Sequence, residues 1–561
     1  MAEYLSPGVY VEEYDHSPRA MEGVGTSTAG FVGLAEKGST KGAPALVTSA
    51  AEFARKYGGY LSEFTYGEYR YLAGCVEQFF ANGGTRCYIT RVIPGDAACA
   101  EGILGNLRLT ARNEGSWGNR IEVEVAGIEK KKMQLLEKTG ERKYRAKSTF
   151  GFEAGSIVKA KDAYNRITAI HEREVTFEEE FGEDMTDTGI IPEKVLYLCE
   201  LEIRVQCGGE TEVYPELNMN VNSGRYAGNL LSSSELIAAE ITVDPSVKSP
   251  AELLTGSASG KITLEGGSDG SLDQVSAETF IGTDAGAGKR TGIQAFLENT
   301  DVSILAVPGI TIPEVVVSLV AHCENTKSRF AVIDLPRDYS GKEEILGYRE
   351  LIDSTYAAMY HPWIQNFDRA GKKSAWFPPS GAVMGVYART DISRGVHKAP
   401  ANETVSCTGL NIHFTKGEQD VLNPEGVNLI RAIPGQGIRI WGARTASSNA
   451  GFKYVNVRRL FIYVEESIKA NTSWVVFEPN DSTLWNRVRL SISSFLETMW
   501  RNGMLAGDSA DSSYFVEIGP STMTQDDIQN GRLICNIGIA PSRPAEFIIF
   551  RVTQNTASAE G

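Results

Sequence analysis

The hydrophobic pattern divides the chain into stretches of different period. Ala29 to Leu34 is a six-residue run dominated by small and apolar side chains, as a buried strand shows. Two helical stretches follow. The second covers about residues 68–81, with Leu72, Cys75, Val76, Phe79 and Phe80 on one face, and is closed by Gly83-Gly84. Residues 86–92 predict another strand. The alternation returns at 303–307 (strand), 313–323 (helix), 330–335 (strand), 343–354 (helix) and 356–364 (strand). Strands alternating with helices predict a parallel sheet covered on both faces.

Between these halves, at 101–271, the pattern becomes short alternating runs such as Ile121-Glu122-Val123-Glu124-Val125, which predict a β-rich insertion. Its charges are segregated: residues 130–147 hold eight basic and two acidic side chains, and 171–187 hold eight acidic and one basic. Two readings fit, hairpins with solvated faces or a self-complementary surface between copies. An insertion that leaves and re-enters a sheet domain belongs on its periphery. Residues 1–25 look like an extended arm, with Val9 and Val11 alternating with Tyr10 and Glu12 behind Pro7-Gly8. An isolated strand cannot satisfy its own backbone, so it must pair somewhere. Near the other end, residues 482–500 predict an amphipathic helix with Trp485, Val488, Ile492, Phe495, Leu496 and Met499 inward.

Composition bounds the rest. Of 561 residues 42% are apolar and 22% charged, which excludes global disorder, and the length predicts three or four domains. A net charge of −16 argues against non-specific nucleic-acid binding. No apolar run approaches a membrane span and no signal peptide is read at the start, so folding in a cytoplasm is expected. The eight cysteines are scattered without a Cys-x-x-Cys pair and read as reduced, buried thiols.

Candidate chemistry stays incomplete wherever it starts. The loop from Gly286 to Thr291 suggests a phosphate loop, but Thr283 stands where the first glycine is needed and Arg290 where a hydroxyl must follow Lys289. The order Asp334, His361, Ser380 mimics a hydrolase triad on an α/β sheet, yet Ser380 lies in Pro378-Pro379-Ser380-Gly381, a turn, and not in a nucleophile elbow. His397, Cys407 and His413 match no zinc spacing. No catalytic, cofactor-binding or metal residue is assigned.

The last third carries an ordered set of motifs. It reads Trp376-Phe377-Pro378-Pro379-Ser380-Gly381, then Asn428-Leu429-Ile430-Arg431, Trp441-Gly442-Ala443-Arg444-Thr445 and Tyr454-Val455-Asn456-Val457-Arg458-Arg459-Leu460. Trp474-Val475-Val476-Phe477-Glu478-Pro479-Asn480 and Ala540-Pro541-Ser542-Arg543-Pro544-Ala545-Glu546-Phe547 follow. Together these resemble the tail sheath proteins of contractile-tailed phages and related contractile injection systems. The resemblance is strong over 373–561 and extends to Ser6-Pro7-Gly8-Val9-Tyr10 and Tyr360-His361-Pro362-Trp363-Ile364.

The resemblance implies a structural protein without cofactors, assembled in a bacterial cytoplasm into a phage tail or a released tail-like particle. Its partners would be further copies in stacked six-membered rings, an inner tube protein, and baseplate and tail terminator proteins, with no nucleic acid and no membrane insertion. Contraction of the sheath would drive the tube through a target envelope. The α/β part resembles the family's subtilisin-like, non-catalytic domain. The expected architecture is multidomain α/β and α+β: an arm at 1–25, a discontinuous α/β domain at 26–100 and 272–372, an outer insertion at 101–271, and a sheath-core domain at 373–561 ending in a second arm. A hydrolase on the α/β domain and a non-contracting baseplate module are the alternatives.

Strand exchange suits a polymer that must rearrange without separating, since its bonds come from backbone. The candidates are Gly8, Val9, Tyr10, Val11, Glu12 and Glu13 at one end, and Phe547, Ile548, Ile549, Phe550, Arg551 and Val552 at the other. The second run equally reads as a core strand. Arg487, Arg489 and Arg501 are candidates to face the tube. Residues 426–464 hold Arg431, Arg439, Arg444, Lys453, Arg458 and Arg459 with no acid, so these either pair elsewhere in the domain or meet a neighbour.

Overall fold

A computed structural model describes residues 21–549 apart from 188, 190, 192, 193 and 243. Its centre is a nine-stranded sheet. Six strands run parallel in the order Cys87–Val92, Ala29–Leu34, Ile304–Ala306, Phe330–Asp334, Ala357–His361 and Val427–Ile433. Ala45–Val47 pairs antiparallel with Cys87–Val92 at one margin, and Gly437–Ile440 and Glu403–Thr404 extend the other.

Both faces of this sheet are covered, and alternation along the strands shows it. Phe31, Ile304, Phe330, Val332, Ala358 and Tyr360 enter one apolar cluster, while Val32, Leu305, Ala331, Ile333 and Met359 enter another. The first cluster lies under helices Leu72–Ala81 and Ser380–Arg394, the second under Pro313–Thr326 and Lys342–Arg349. The first two helices approach closely because Gly381 and Gly385 face them across the contact. A Cβ on Gly381 would lie 2.2 Å from the Cys75 carbonyl oxygen.

Several sequence-derived bounds shift. The helix expected at 68–81 starts at Leu72, after short turns at Glu63–Tyr66 and Gly67–Tyr69. The strand expected at 356–364 divides into Ala357–His361 and Ile364–Asp368, because Pro362 has no N–H to continue the ladder. Ser380 is not in a turn; it is the first residue of Ser380–Arg394. The sheet also runs through the expected 372/373 domain boundary, since Val427–Ile433 pairs with Ala357–His361 (Met359 opposite Val427).

The segment 101–271 is β-rich. Two antiparallel sheets, of four and three strands, enclose Trp117, Val123, Ile203, Leu109 and Leu254. A closed six-stranded barrel spans Lys132–Lys138 to Val195–Leu198, with Met133, Leu135, Tyr144, Val175 and Leu196 inside. The segregated charges meet within the barrel. Glu174–Phe177 pairs with Lys143–Ala146, Lys138 contacts Glu180, and Thr139 donates to Glu174 at 2.7 Å. The C-terminal region, 455–541, packs helices Val455–Asn471 and Ser482–Arg501 around a separate cluster that includes Leu460, Val488, Ile492, Leu496 and Ile518. No helix among the described residues is long and apolar enough to cross a membrane.

Candidate functional site

The C-terminal ends of parallel strands are where α/β folds place chemistry. Asp334 ends one strand, His361 ends the next, and Ser380 opens the helix behind them. The Ser380 hydroxyl donates to Asp334 Oδ2 at 2.6 Å, its amide donates to Oδ1 at 2.8 Å, and the Gly309 amide donates to Oδ2 at 3.0 Å. Burial nevertheless pushes the Asp334 carboxyl up to about 6. The His361 ring turns elsewhere, its Nε2 2.7 Å from the Tyr339 carbonyl oxygen, and burial holds it down at about 4. The serine thus spends its proton on the carboxylate, without an imidazole between them, and all three side chains are buried. The arrangement holds a helix N-terminus to the sheet and has no route to a substrate.

The other near-motifs resolve in the same way. In the Lys289 loop, the Gly288 amide donates to Glu298 Oε1 at 2.7 Å, and Arg290 pairs with Asp284 and Glu298. Carboxylates occupy the donors a phosphate would need. Among the described residues no three His, Cys, Asp or Glu side chains converge as a metal site.

A different site emerges in the C-terminal region. Strands Tyr514–Ile518 and Cys535–Ile539 pair antiparallel (Val516 opposite Ile537) and form a sheet of two strands only, among the described residues. Helix Ser482–Arg501 covers one face, because Val488, Ile492, Phe495, Leu496 and Met499 recur at helical spacing toward it. Among the described residues no further strand pairs with the outer edge of either, and such an edge is a template for an added strand. Phe515 projects on the far face and is half exposed.

The expected arms fall unevenly on the structure. Gly8, Val9, Tyr10, Val11, Glu12 and Glu13, and likewise Phe550, Arg551 and Val552, lie outside the described residues. Phe547, Ile548 and Ile549 form no strand with the other described residues and are 72%, 73% and 79% exposed. Just before them the chain is fixed by Glu546. Arg444 donates to both its oxygens (2.8 and 2.7 Å), Asn423 to Oε1 at 2.7 Å and Tyr454 to Oε2 at 3.0 Å. Burial raises the Glu546 carboxyl, but these donors, Arg444 foremost, leave it below the ordinary carboxylate value.

Of the basic residues at 426–464, Arg444 and Arg459 are spent inside the chain on Glu546 and Asp391. Arg458 stacks on Phe452 and Tyr356, and Arg431 donates to Gln419. On the covering helix, Arg487 lies over the Trp474 ring and 3.9 Å from Glu478, Arg489 donates to the Ile518 carbonyl at 2.6 Å, and Arg501 pairs with Glu497. Asp391 and Glu546, the acids that anchor this region, are not singled out by sequence, since each is one acid among many until its arginine is known.

Residues 284–446 match the phage tail sheath protein central domain and residues 447–555 the phage tail sheath C-terminal domain. A putative prophage major tail sheath protein of Pseudomonas aeruginosa is 25% identical over 335 residues, 58% of this chain and 84% of that protein. The tail sheath protein of Escherichia phage P2 is 25% identical over 286 residues, 48% of this chain and 69% of that protein. Among solved structures, the sheath complex of an extracellular contractile injection system in its contracted state superposes with a TM-score of 0.53 at 20% identity, covering 99% of both chains.

Proposed function

We propose, for a chain whose second half belongs to the phage tail sheath family, that it is the repeating structural subunit of a contractile sheath and not an enzyme. Copies stack as six-membered rings around an inner tube protein, with baseplate and terminator proteins at the two ends. A change from extended to contracted packing releases interface free energy and drives the tube forward. No local catalyst is needed for that step, in keeping with the buried Asp334–Ser380 pair.

The observation that carries this reading is the sheet at 514–539, which has two strands only among the described residues. Extended segments from neighbouring copies, residues 8–13 and 547–552, complete it. Each added backbone bond contributes about 1 kcal/mol net, so five or six make a tether of several kcal/mol that survives rearrangement of side-chain contacts. The exposure of Phe547, Ile548 and Ile549 supports the second donor. Arg487 and Arg501, at 51% and 71% side-chain exposure, would present positive charge from the covering helix to the tube; Arg489 points away from them, to the Ile518 carbonyl of the sheet.

Electron microscopy of the purified chain tests this. The full chain is expected to form helical tubes, and deletion of residues 1–14 to leave a folded subunit that forms none. Long tubes from the truncated protein would sink strand exchange; failure of the full chain to polymerise at any concentration would sink the sheath reading itself.

A further inference from the structure

Residues 22–26 lie against one face of helix Val455–Asn471, and the contact follows a rule. The helix presents Arg459, Tyr463, Ser467 and Asn471, a row four residues apart. The Glu22 amide donates to Asn471 Oδ1 at 3.3 Å, and the Asn471 amide returns a bond to the Glu22 carbonyl at 2.8 Å. The Val24 amide donates to Ser467 Oγ at 3.1 Å, and Arg459 donates to the Thr26 carbonyl at 2.9 Å. All of these backbone groups belong to even-numbered residues, which is one edge of an extended segment.

The spacing explains why a helix can do this. Two residues of extended chain advance about 6.6 Å, and four residues of helix advance about 6 Å. A polar i, i+4 row therefore meets every second backbone group, as the edge of a strand would. Arg459, one turn further along, closes the gap with its length. Gly23 fits because a Cβ there would lie 1.9 Å from the Tyr463 hydroxyl. The seat is tied to the α/β domain as well. The Thr26 hydroxyl donates to Asp391 Oδ2 at 2.7 Å, and the same carboxylate is bridged by Arg459, with both partners buried.

We propose that this row is a backbone-reading seat that holds residues 22–26 extended and fixes the position and direction of the chain at residue 22, at the Asn471 end of the helix. The seat recognises main chain and one glycine, and its occupant is this chain's own segment. It lets a strand that pairs with a neighbour start from a fixed point and direction, so assembly depends on it although the core does not. This rests on the reading that residues 8–13 pair between subunits.

The test uses full-length chain carrying Asn471→Ala, and separately Asn471→Ala with Ser467→Ala, which remove the bonds to Glu22 and Val24. Amide exchange at Glu22 and Val24 in the unassembled subunit is expected to quicken about tenfold or more. The single variant changes a partly exposed side chain, so the subunit remains folded. Tube formation at the wild-type concentration is expected to fall at least as strongly. Unchanged exchange at both amides overturns the seat; faster exchange with normal tubes overturns its role in assembly. Deletion of residues 1–14 run alongside separates the two readings: tubes from that deletion remove strand exchange, whatever the exchange rates at Glu22 and Val24.

Discussion

Burial acts on Asp334 and His361 with opposite sign, and the pair can be separated by pH. A buried neutral imidazole held at about 4 binds fewer protons folded than unfolded, so its contribution is intact above about 6.5 and is lost as pH falls toward 4. The 2.5-unit difference corresponds to about 3 kcal/mol. Asp334, raised to about 6, behaves in reverse: its stabilising contribution is full below about 4 and is lost as pH rises through 6. In His361→Gln, whose amide can still donate to Tyr339, the His361 loss disappears. Relative to wild type, this variant is expected to gain stability progressively from pH 6.5 to 4 in denaturant titrations. A constant difference over that range would remove the assignment. Sequence order alone brought Asp334, His361 and Ser380 forward together, and the parallel sheet does gather them at one end. Side-chain direction is what linear order lacks, and here it decides between a triad and a cap.

At the scale of elements, legibility follows the range of the interaction. Helix Ser482–Arg501 was readable because its apolar period is local, and its buried residues include Val488, Ile492, Phe495, Leu496 and Met499 as expected. The continuation of the sheet past residue 372 was not, because Val427–Ile433 finds Ala357–His361 across about 65 intervening residues and a parallel pair leaves no hairpin signal. The segregated charges of the barrel were legible as charges, but their mutual pairing depends on strand order. Glu546 shows the same limit: it closes the chain onto Arg444, which is 6% exposed. Glu546→Gln leaves that guanidinium without its counter-charge, and a loss of about 3 kcal/mol is expected. Because the Glu546 carboxyl is depressed, its contribution in wild type is present above the ordinary carboxylate value and is lost as pH falls below it. Limited proteolysis next to Phe547 reads it out directly. Resistance unchanged by the substitution would mean that Glu546 does not hold this end.

For the whole molecule the question is which parts the polymer needs. The insertion at 101–271 leaves and returns through a narrow neck: Ala98 bridges Ser268, Glu101 bridges Glu265, and the Ser271 amide donates to Asp96. Its two apolar clusters contain none of the residues of the sheet's clusters. A short Gly/Ser linker can therefore span the neck with little closure cost. Several contacts do cross. Lys37 lies 2.9 Å from Glu210 and over the Trp117 ring, and Arg120 pairs with Glu36, all partly exposed to solvent. Arg91, fully buried, donates to the carbonyls of Ala35, Glu36 and Gly38 in the α/β domain and to that of Glu114 in the insertion at 2.8 Å. At Arg91 excision removes one of four acceptors and opens the site to water, which can replace it, at a cost of about 1 kcal/mol; the solvent-exposed ion pairs of Lys37 and Glu36 add at most about 1 kcal/mol each. The expected outcome is a folded chain that still forms tubes, thinner by the absent periphery in electron micrographs. An unfolded or aggregated product would show that the insertion shares the core. A folded product without tubes would place it in the contacts between copies, and its charged barrel would then be an interface.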